Sequence, residues 1–342
     1  STAPPSACGE VKTVIFKIKS NCGDSLTCSR TYTVPAPASV SLTCPTNQTE
    51  AACQTQSAIN TKFTTWKNLA SFTGGCNGVL SNNSGGTPSA CGGTASVTFT
   101  VTSSCEANKT CTATFTVTAP SNLTLTCPSD TTVASCKTQG AVDTLFANWK
   151  NNVSYSGGCS PTLTTSAGTA PPKCGGSTTV TFTVTSSCGA TATCVKTFTV
   201  TNAPAVVLTC PASQTEAACQ TQTTINNKYN TWLASAMASG GCGTVLTNNS
   251  AGIPSACGGT ASVTFTATSN CEPPVTCIRT FSVATAPAVA LTCPANQTEA
   301  ACQTQAAINS KFATWLGTVS TSGGCNPVLT NNNTGAPNNC GG

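Results

Sequence analysis

The sequence predicts a mostly β fold, built as a tandem array of small β-sandwich modules, each with one inserted helix and disulfide staples. Three observations carry that expectation: a fixed period, six cysteines held in phase with it, and clean two-residue alternation inside each period. Leu-Thr-Cys-Pro begins at Leu42, Leu125, Leu208 and Leu291, each copy 83 residues after the last. Cys44, Cys53, Cys76, Cys91, Cys105 and Cys111 return as Cys127, Cys136, Cys159, Cys174, Cys188 and Cys194. They return again as Cys210, Cys219, Cys242, Cys257, Cys271 and Cys277. Such a period marks a tandem array, so one 83-residue module is the unit to explain.

Proline-bearing joints at Pro35-Ala36-Pro37, Ala119-Pro120, Ala203-Pro204 and Ala286-Pro287 set the expected boundaries. Full modules fall at 38–120, 121–203 and 204–286, with the C-terminal part of a module at 1–37 and the N-terminal part at 287–342. Because residue 1 lies mid-module, the chain reads as a window from something longer. Short, proline-stiffened joints favour a semi-rigid rod over beads on a flexible string.

Inside a module, Leu42 and Leu80 mark strands. Ile59, Phe63, Trp66 and Ala70 fall on one helical stripe. Val142, Phe146, Trp149 and Val153 repeat it, as do Ile225, Tyr229, Trp232 and Ala236. All four tryptophans (Trp66, Trp149, Trp232, Trp315) hold this phase, which suits core packing better than an aromatic platform for sugars. Thr49-Glu50 reads as a helix entry and Gly74-Gly75 as a helix exit. Beyond them, Val97, Phe99 and Val101 alternate with threonines, and so do Phe115 and Val117. This is an antiparallel pair with one buried face and one wet threonine face, its turn bracketed by Cys105 and Cys111.

A module of this size buries a modest core, and six cysteines would supply up to three disulfides in each, worth about 2–4 kcal/mol apiece. Twenty-five cysteines fit an oxidising compartment. With no histidine and no C-x-x-C pair, metal sites are not expected, and no cofactor is. The partial modules together carry seven cysteines where one module needs six, because Cys8 and Cys340 share a phase. That duplication speaks against strand complementation between chain ends.

Leu-Thr-Cys-Pro at the start, Val-Thr-Phe-Thr-Val-Thr, a turn, and Thr-Cys-x-x-x-Phe-Thr-Val at the close resemble the hyalin-repeat (HYR-like) domains. The likeness is to the cysteine-rich variants found in tandem in very large secreted proteins of Bacteroidota. It covers the whole chain and implies an Ig-like β-sandwich with a structural or adhesive role outside the cell, often as a type IX secretion substrate. The helix with its Gly-Gly-Cys exit departs from the simplest form of the domain. If pairing follows the simpler relatives, Cys44 joins Cys111; cross-strand geometry equally allows Cys105 with Cys111, and six cysteines permit fifteen connectivities. The three aspartates, Asp24, Asp130 and Asp143, each begin a triplet similar to the O-glycosylation signal of Bacteroidota, making Ser25, Thr131 and Thr144 candidate glycosylation sites.

Composition excludes several functions. Lys and Arg number 14 against 9 Asp and Glu, and the net +5 is spread without a basic cluster, which argues against nucleic acid. Few carboxylates leave no calcium cage. No general acid, base or nucleophile constellation appears, and Glu50, Glu216 and Glu299 suit a helix entry, so catalysis is not expected. The variable hairpin tips, 23–27, 106–110, 189–193 and 272–276, are where a carbohydrate- or protein-binding module would make its contacts. The stronger reading is structural: an extracellular filament, stalk or giant surface adhesin. Its partners would be neighbouring modules of the same chain or identical chains in a fibre.

Overall fold

The computed structural model describes residues 3–341; the outermost expected bounds, Ser1 and Gly342, lie outside them. The fold is mostly β, with strands over 37% of the chain and helix over 15%. It divides into two compact units. One comprises Ser1–Asp130, Asn148–Gly168 and Thr179–Thr197; the other comprises Thr131–Ala147, Thr169–Thr178 and Phe198–Gly342.

In the first unit, strands β1 (Glu10–Lys19) and β2 (Ser25–Val34) form an antiparallel hairpin. There follow β3 (Ser41–Thr43), β4 (Gln48–Glu50), helix α1 (Gln56–Lys67), β5 (Ser71–Thr73), β6 (Val79–Asn82), β7 (Gly93–Thr102) and β8 (Lys109–Val117). Strands β4, β8, β7 and β6 lie in that order in one sheet. The central hairpin β7–β8 is antiparallel, as the alternation requires, and β4 runs parallel to β8 with Gln48 opposite Phe115. A second, two-stranded sheet pairs β3 with β5.

The helix covers the apolar face of the large sheet. Ile59, Phe63 and Trp66 meet Val97, Phe99, Ala113, Phe115 and Val117 in one buried cluster. Trp66 lies 5.5 Å from Phe115 and 6.1 Å from Phe99, centroid to centroid, and its indole N–H donates to the Thr46 carbonyl at 2.8 Å. The opposite face carries threonine hydroxyls in cross-strand pairs, Thr98 with Thr112 at 3.0 Å and Thr94 with Thr116 at 3.1 Å. The second unit repeats the plan around Ile225, Tyr229, Trp232, Val263, Phe265, Phe281 and Val283. Tyr229 stands where Phe63 stands, and its hydroxyl hydrogen-bonds the Ser250 hydroxyl at 2.7 Å.

Residues 1–37 hold only the closing hairpin of a period, without the helix that precedes β7 and β8 in the next one. Phe16 in β1 is 57% exposed, whereas Phe99, one period later, is 1% exposed. Apolar alternation makes the strand, but the helix makes it a core.

Two expected boundaries are corrected. Thr49 and Glu50 belong to β4, not to a helix entry; the N-cap is Thr55, whose hydroxyl oxygen accepts from Ala58 N–H. Pairing of Gln48–Glu50 with Phe115–Val117, far along the chain, outweighs the local capping signal. Gly74 and Gly75 are not the helix exit either. Helix α1 ends at Lys67 with Asn68 as its C-cap, and the glycines follow β5.

Candidate functional site at the disulfide joints

Nine disulfides join the described cysteines, and they fall into three classes by sequence separation. Cys44–Cys111, Cys127–Cys194 and Cys210–Cys277 span 67 residues and lie within one period, tying the first strand to the hairpin. Cys8–Cys105, Cys91–Cys188 and Cys174–Cys271 span 97. Cys53–Cys159, Cys136–Cys242 and Cys219–Cys325 span 106. Both longer classes exceed the 83-residue period, so they cross from one repeat to the next. Their Cα–Cα distances, 4.8 to 5.5 Å, suit the bond.

This corrects the expectation of up to three disulfides inside each module: one is internal and the others staple neighbours. Cys105 pairs with Cys8 rather than with Cys111. Cys76 and Cys257, expected among the disulfide cysteines, are unpaired, as are Cys22, Cys28, Cys293, Cys302 and Cys340. Their counterparts explain why. Cys159 and Cys242 reach back 106 residues and Cys174 reaches forward 97; the same steps from Cys76 and Cys257 fall outside residues 1–342.

Each 106-residue staple is built on a glycine pair. Gly157 and Gly158 have φ of +78° and +65°, the left-handed region open to glycine. Gly158 N–H donates to the Ser121 carbonyl at 2.9 Å, closing the pair over the joint, and a Cβ on Gly157 would strike the Asn122 carbonyl oxygen. Cys159 follows at once and bonds Cys53, whose Sγ lies 3.6 Å from the Gly158 carbonyl oxygen. Gly240-Gly241-Cys242 repeats the arrangement against Pro204, Ala205 and Cys136.

Cys53, Cys136 and Cys219 also have positive φ, 64° to 67°. Unpaired Cys302 has φ of 64°, so the bond is not what sets this conformation. For a non-glycine residue it costs roughly 1 kcal/mol, recurring in every period.

Each 97-residue staple uses a hairpin tip. Cys105 and Cys271 sit in turns after their first strands, and the Cys8 and Cys174 sulfurs lie 3.4 and 3.7 Å from the carbonyl oxygens of Ser104 and Asn270. Beside them, a Glu106 carboxylate oxygen accepts from Val40 N–H at 2.8 Å, and Glu272 accepts from Val206 N–H at 2.8 Å. The first residues of these tips therefore help hold the joint, while residues 107–110 beyond them are exposed. Sequence reasoning marked them only as variable.

The remaining candidates have structural surroundings. Trp66, Trp149 and Trp232 are 1%, 7% and 4% exposed, so they are core residues rather than a sugar platform. Ser25 opens β2 and is exposed. Thr131 begins the strand Thr131–Val133 and is half-buried, and exposed Thr144 donates to the Gly140 carbonyl at 2.8 Å within its helix. Asp130 accepts from Thr197 N–H at 2.7 Å, the task Asn47 performs for Thr114 N–H at 2.8 Å. A cleft of about 800 Å³ is lined by Glu299, Cys302, Phe312 and Trp315. Phe312 and Trp315 share the phase of core residues Phe63 and Trp66. Among the described residues, no cluster of three His, Cys, Asp or Glu side chains is placed to hold a metal ion.

Glu50 is the most perturbed acid of the first unit. Hydrogen bonds from Lys62, then Gln48 and Gln54, hold its carboxyl down at about 2. The Lys62 ammonium lies 2.5 Å from it. Glu216 and Glu299 also lie at about 2; Gln220 leads for the first, with Lys228 and Gln214, and Lys311 for the second, with Gln297 and Gln303. One period after Glu50 and Lys62 stand Val133 and Leu145. An ion pair has been exchanged whole for two apolar residues, which marks it as a strand-to-helix brace and not as catalytic machinery.

No family model matches the chain, and no curated protein matches it. Solved structures similar to it include the protocadherin GammaB4 extracellular domain, at 12% identity and TM-score 0.29, covering 80% of this chain and 55% of that one. Drosophila N-cadherin EC1-4 is similar at 9% identity and TM-score 0.22, covering 82% and 84%. Immunoglobulin domains 1-4 of Sidekick-1 follow at 8% identity and TM-score 0.20, covering 80% and 90%. Likeness this distant carries no argument about function.

Proposed function

We propose that this chain is the structural repeat region of an extracellular filament, stalk or giant surface adhesin: a semi-rigid, disulfide-stapled rod without catalysis. The observation that carries the reading is the two staples at a single joint, Cys53–Cys159 and Cys91–Cys188, which join successive repeats beside the peptide chain. A flexible string of independent domains has no use for them. Modules at 38–120, 121–203 and 204–286, with partial modules at 1–37 and 287–342, make the Gly-Gly-Cys turns and hairpin tips joint elements throughout. Nine disulfides call for an oxidising compartment, which supports an extracellular place.

The finer reading is a cell-surface HYR-like array of Bacteroidota, exported by type IX secretion. Its support is the motif resemblance. Sugar on Ser25, Thr131 and Thr144 would complete a neutral coat, and exposure of Ser25 and Thr144 supports the first and third.

Electron microscopy of the intact material tests the proposal. A thread one module wide, repeating axially every ~30–40 Å, is expected. Compact particles, or repeats swivelling freely about their joints, would overturn it. A thicker fibre of symmetry-related copies would move the assembly contacts to the threonine faces.

A further inference from the structure

We propose that the continuity of this array is covalently redundant: its peptide backbone can be cut at a joint and the array still bears load, because either inter-repeat disulfide alone carries it. The proposal rests on the thread reading for its purpose, but not for its test.

The connectivity supplies the argument. Around Pro120-Ser121, only the peptide chain and the pair Cys53–Cys159 and Cys91–Cys188 pass from one repeat to the next. At Ala203-Pro204 the same holds for Cys136–Cys242 and Cys174–Cys271. The internal bonds fill the intervals between. Cys44–Cys111 ends before the first of these joints, and Cys127–Cys194 begins after it. Followed bond by bond, every peptide bond from Cys44 to Cys277 lies inside at least two disulfide-closed loops. No single scission there, of backbone or of disulfide, separates the chain.

The bypass is also short. From Cys105, tension passes along β7 to Cys91, across to Cys188 and on to Cys174, using about 14 residues per repeat, or about 50 Å fully extended. The alternative through the internal bond, Cys111 to Cys127, uses about 16 residues per repeat, or about 55 Å. A bare 83-residue period would pay out about 290 Å. The peptide linker and the strand-and-disulfide route thus reach full extension almost together and share the load. The third route, Cys159 back to Cys136 through the helix Gln139–Asn151, is longer at about 23 residues and stays in reserve.

The backbone at the joint is open to attack, since Ala119, Ser121 and Asn122 are exposed. That is also where the disulfides provide a second and a third connection.

The test is to insert a specific protease site after Ser121 in the full 342-residue chain and digest it to completion. The products are compared in denaturant with and without reductant. One species of undiminished mass without reductant, and two fragments with it, is the expected result. Cys53→Ser with Cys159→Ser, and separately Cys91→Ser with Cys188→Ser, should each still give one species. Removing all four cysteines should release the fragments. The cut parent, tethered by its ends, should survive forces that unfold its repeats. Fragments parting without reductant in the parent overturn the proposal outright, and this arm needs no cysteine variant to fold. Parting in either paired variant overturns the claim that each bond suffices alone. If microscopy shows no thread while the cut chain stays whole, the function reading fails and the redundancy stands.

Discussion

Trp66→Ala will remove the centre of the first complete core, and the structure fixes how much that costs. The indole is 1% exposed and packs against Phe63, Phe99 and Phe115, with centroids at 5.7, 6.1 and 5.5 Å. Deleting a buried aromatic of this kind costs about 3–5 kcal/mol. Losing the N–H donor to the Thr46 carbonyl adds about 1 kcal/mol. For a unit of this size each kcal/mol moves Tm by roughly 4–8 °C, so a fall of about 15–50 °C is expected for that repeat. Trp66→Phe keeps most of the apolar volume and should cost about 1–2 kcal/mol. Scanning calorimetry reads the shift, and hydrogen exchange over Gln56–Lys67 and Gly93–Val117 locates it. A transition moved by less than ~2 °C, with exchange unchanged across the helix and hairpin, would refute the core assignment and return the ring to the surface as a binding platform.

Acid should loosen the repeats unequally. Glu50 and Glu216 fall to about 2 in the folded state from an ordinary value of 4.5, so their contribution is complete above pH 4.5 and is lost as pH drops through 2. Exchange protection of Gln56–Lys67 and Gln222–Ala234 should decline across that window, while Gln139–Asn151, opposite Val133, should not respond; equal loss in all three would contradict the brace. Gly240→Ala should destabilise its repeat by about 1–3 kcal/mol in chemical denaturation, because φ is +73° and the new Cβ meets the Ala205 carbonyl oxygen; an unchanged midpoint would count against the turn. Disulfide mapping of the unreduced chain should return Cys53 with Cys159 and Cys91 with Cys188. Peptides pairing Cys91 with Cys105 would disprove inter-repeat stapling.

Local periodicity made much of the fold legible. Val97, Phe99 and Val101 betray a strand, and Ile59, Phe63 and Trp66 a helix, because each pattern repeats within a few residues. The joint was hidden by the repetition that revealed the modules. Cys91 and Cys105 recur in every period, so phase alone does not distinguish pairing within a repeat from pairing with the neighbour. The β4 strand was missed because its partner lies some 67 residues away, while Thr49-Glu50 mimics a cap. One signal did point to the brace: Glu50 and Lys62 are replaced together, by Val133 and Leu145. Contact between strand and helix is what such a joint exchange implies.

Pairing each repeat only with the next has a genetic consequence. Duplicating or deleting one whole period restores every 97- and 106-residue separation, so no cysteine is orphaned and the protein folds by the same rule. A gain or loss that is not a whole period shifts Cys53 and Cys91 out of step with Cys159 and Cys188. Unequal crossing-over between repeats can therefore lengthen or shorten the array freely, but in steps of 83 residues.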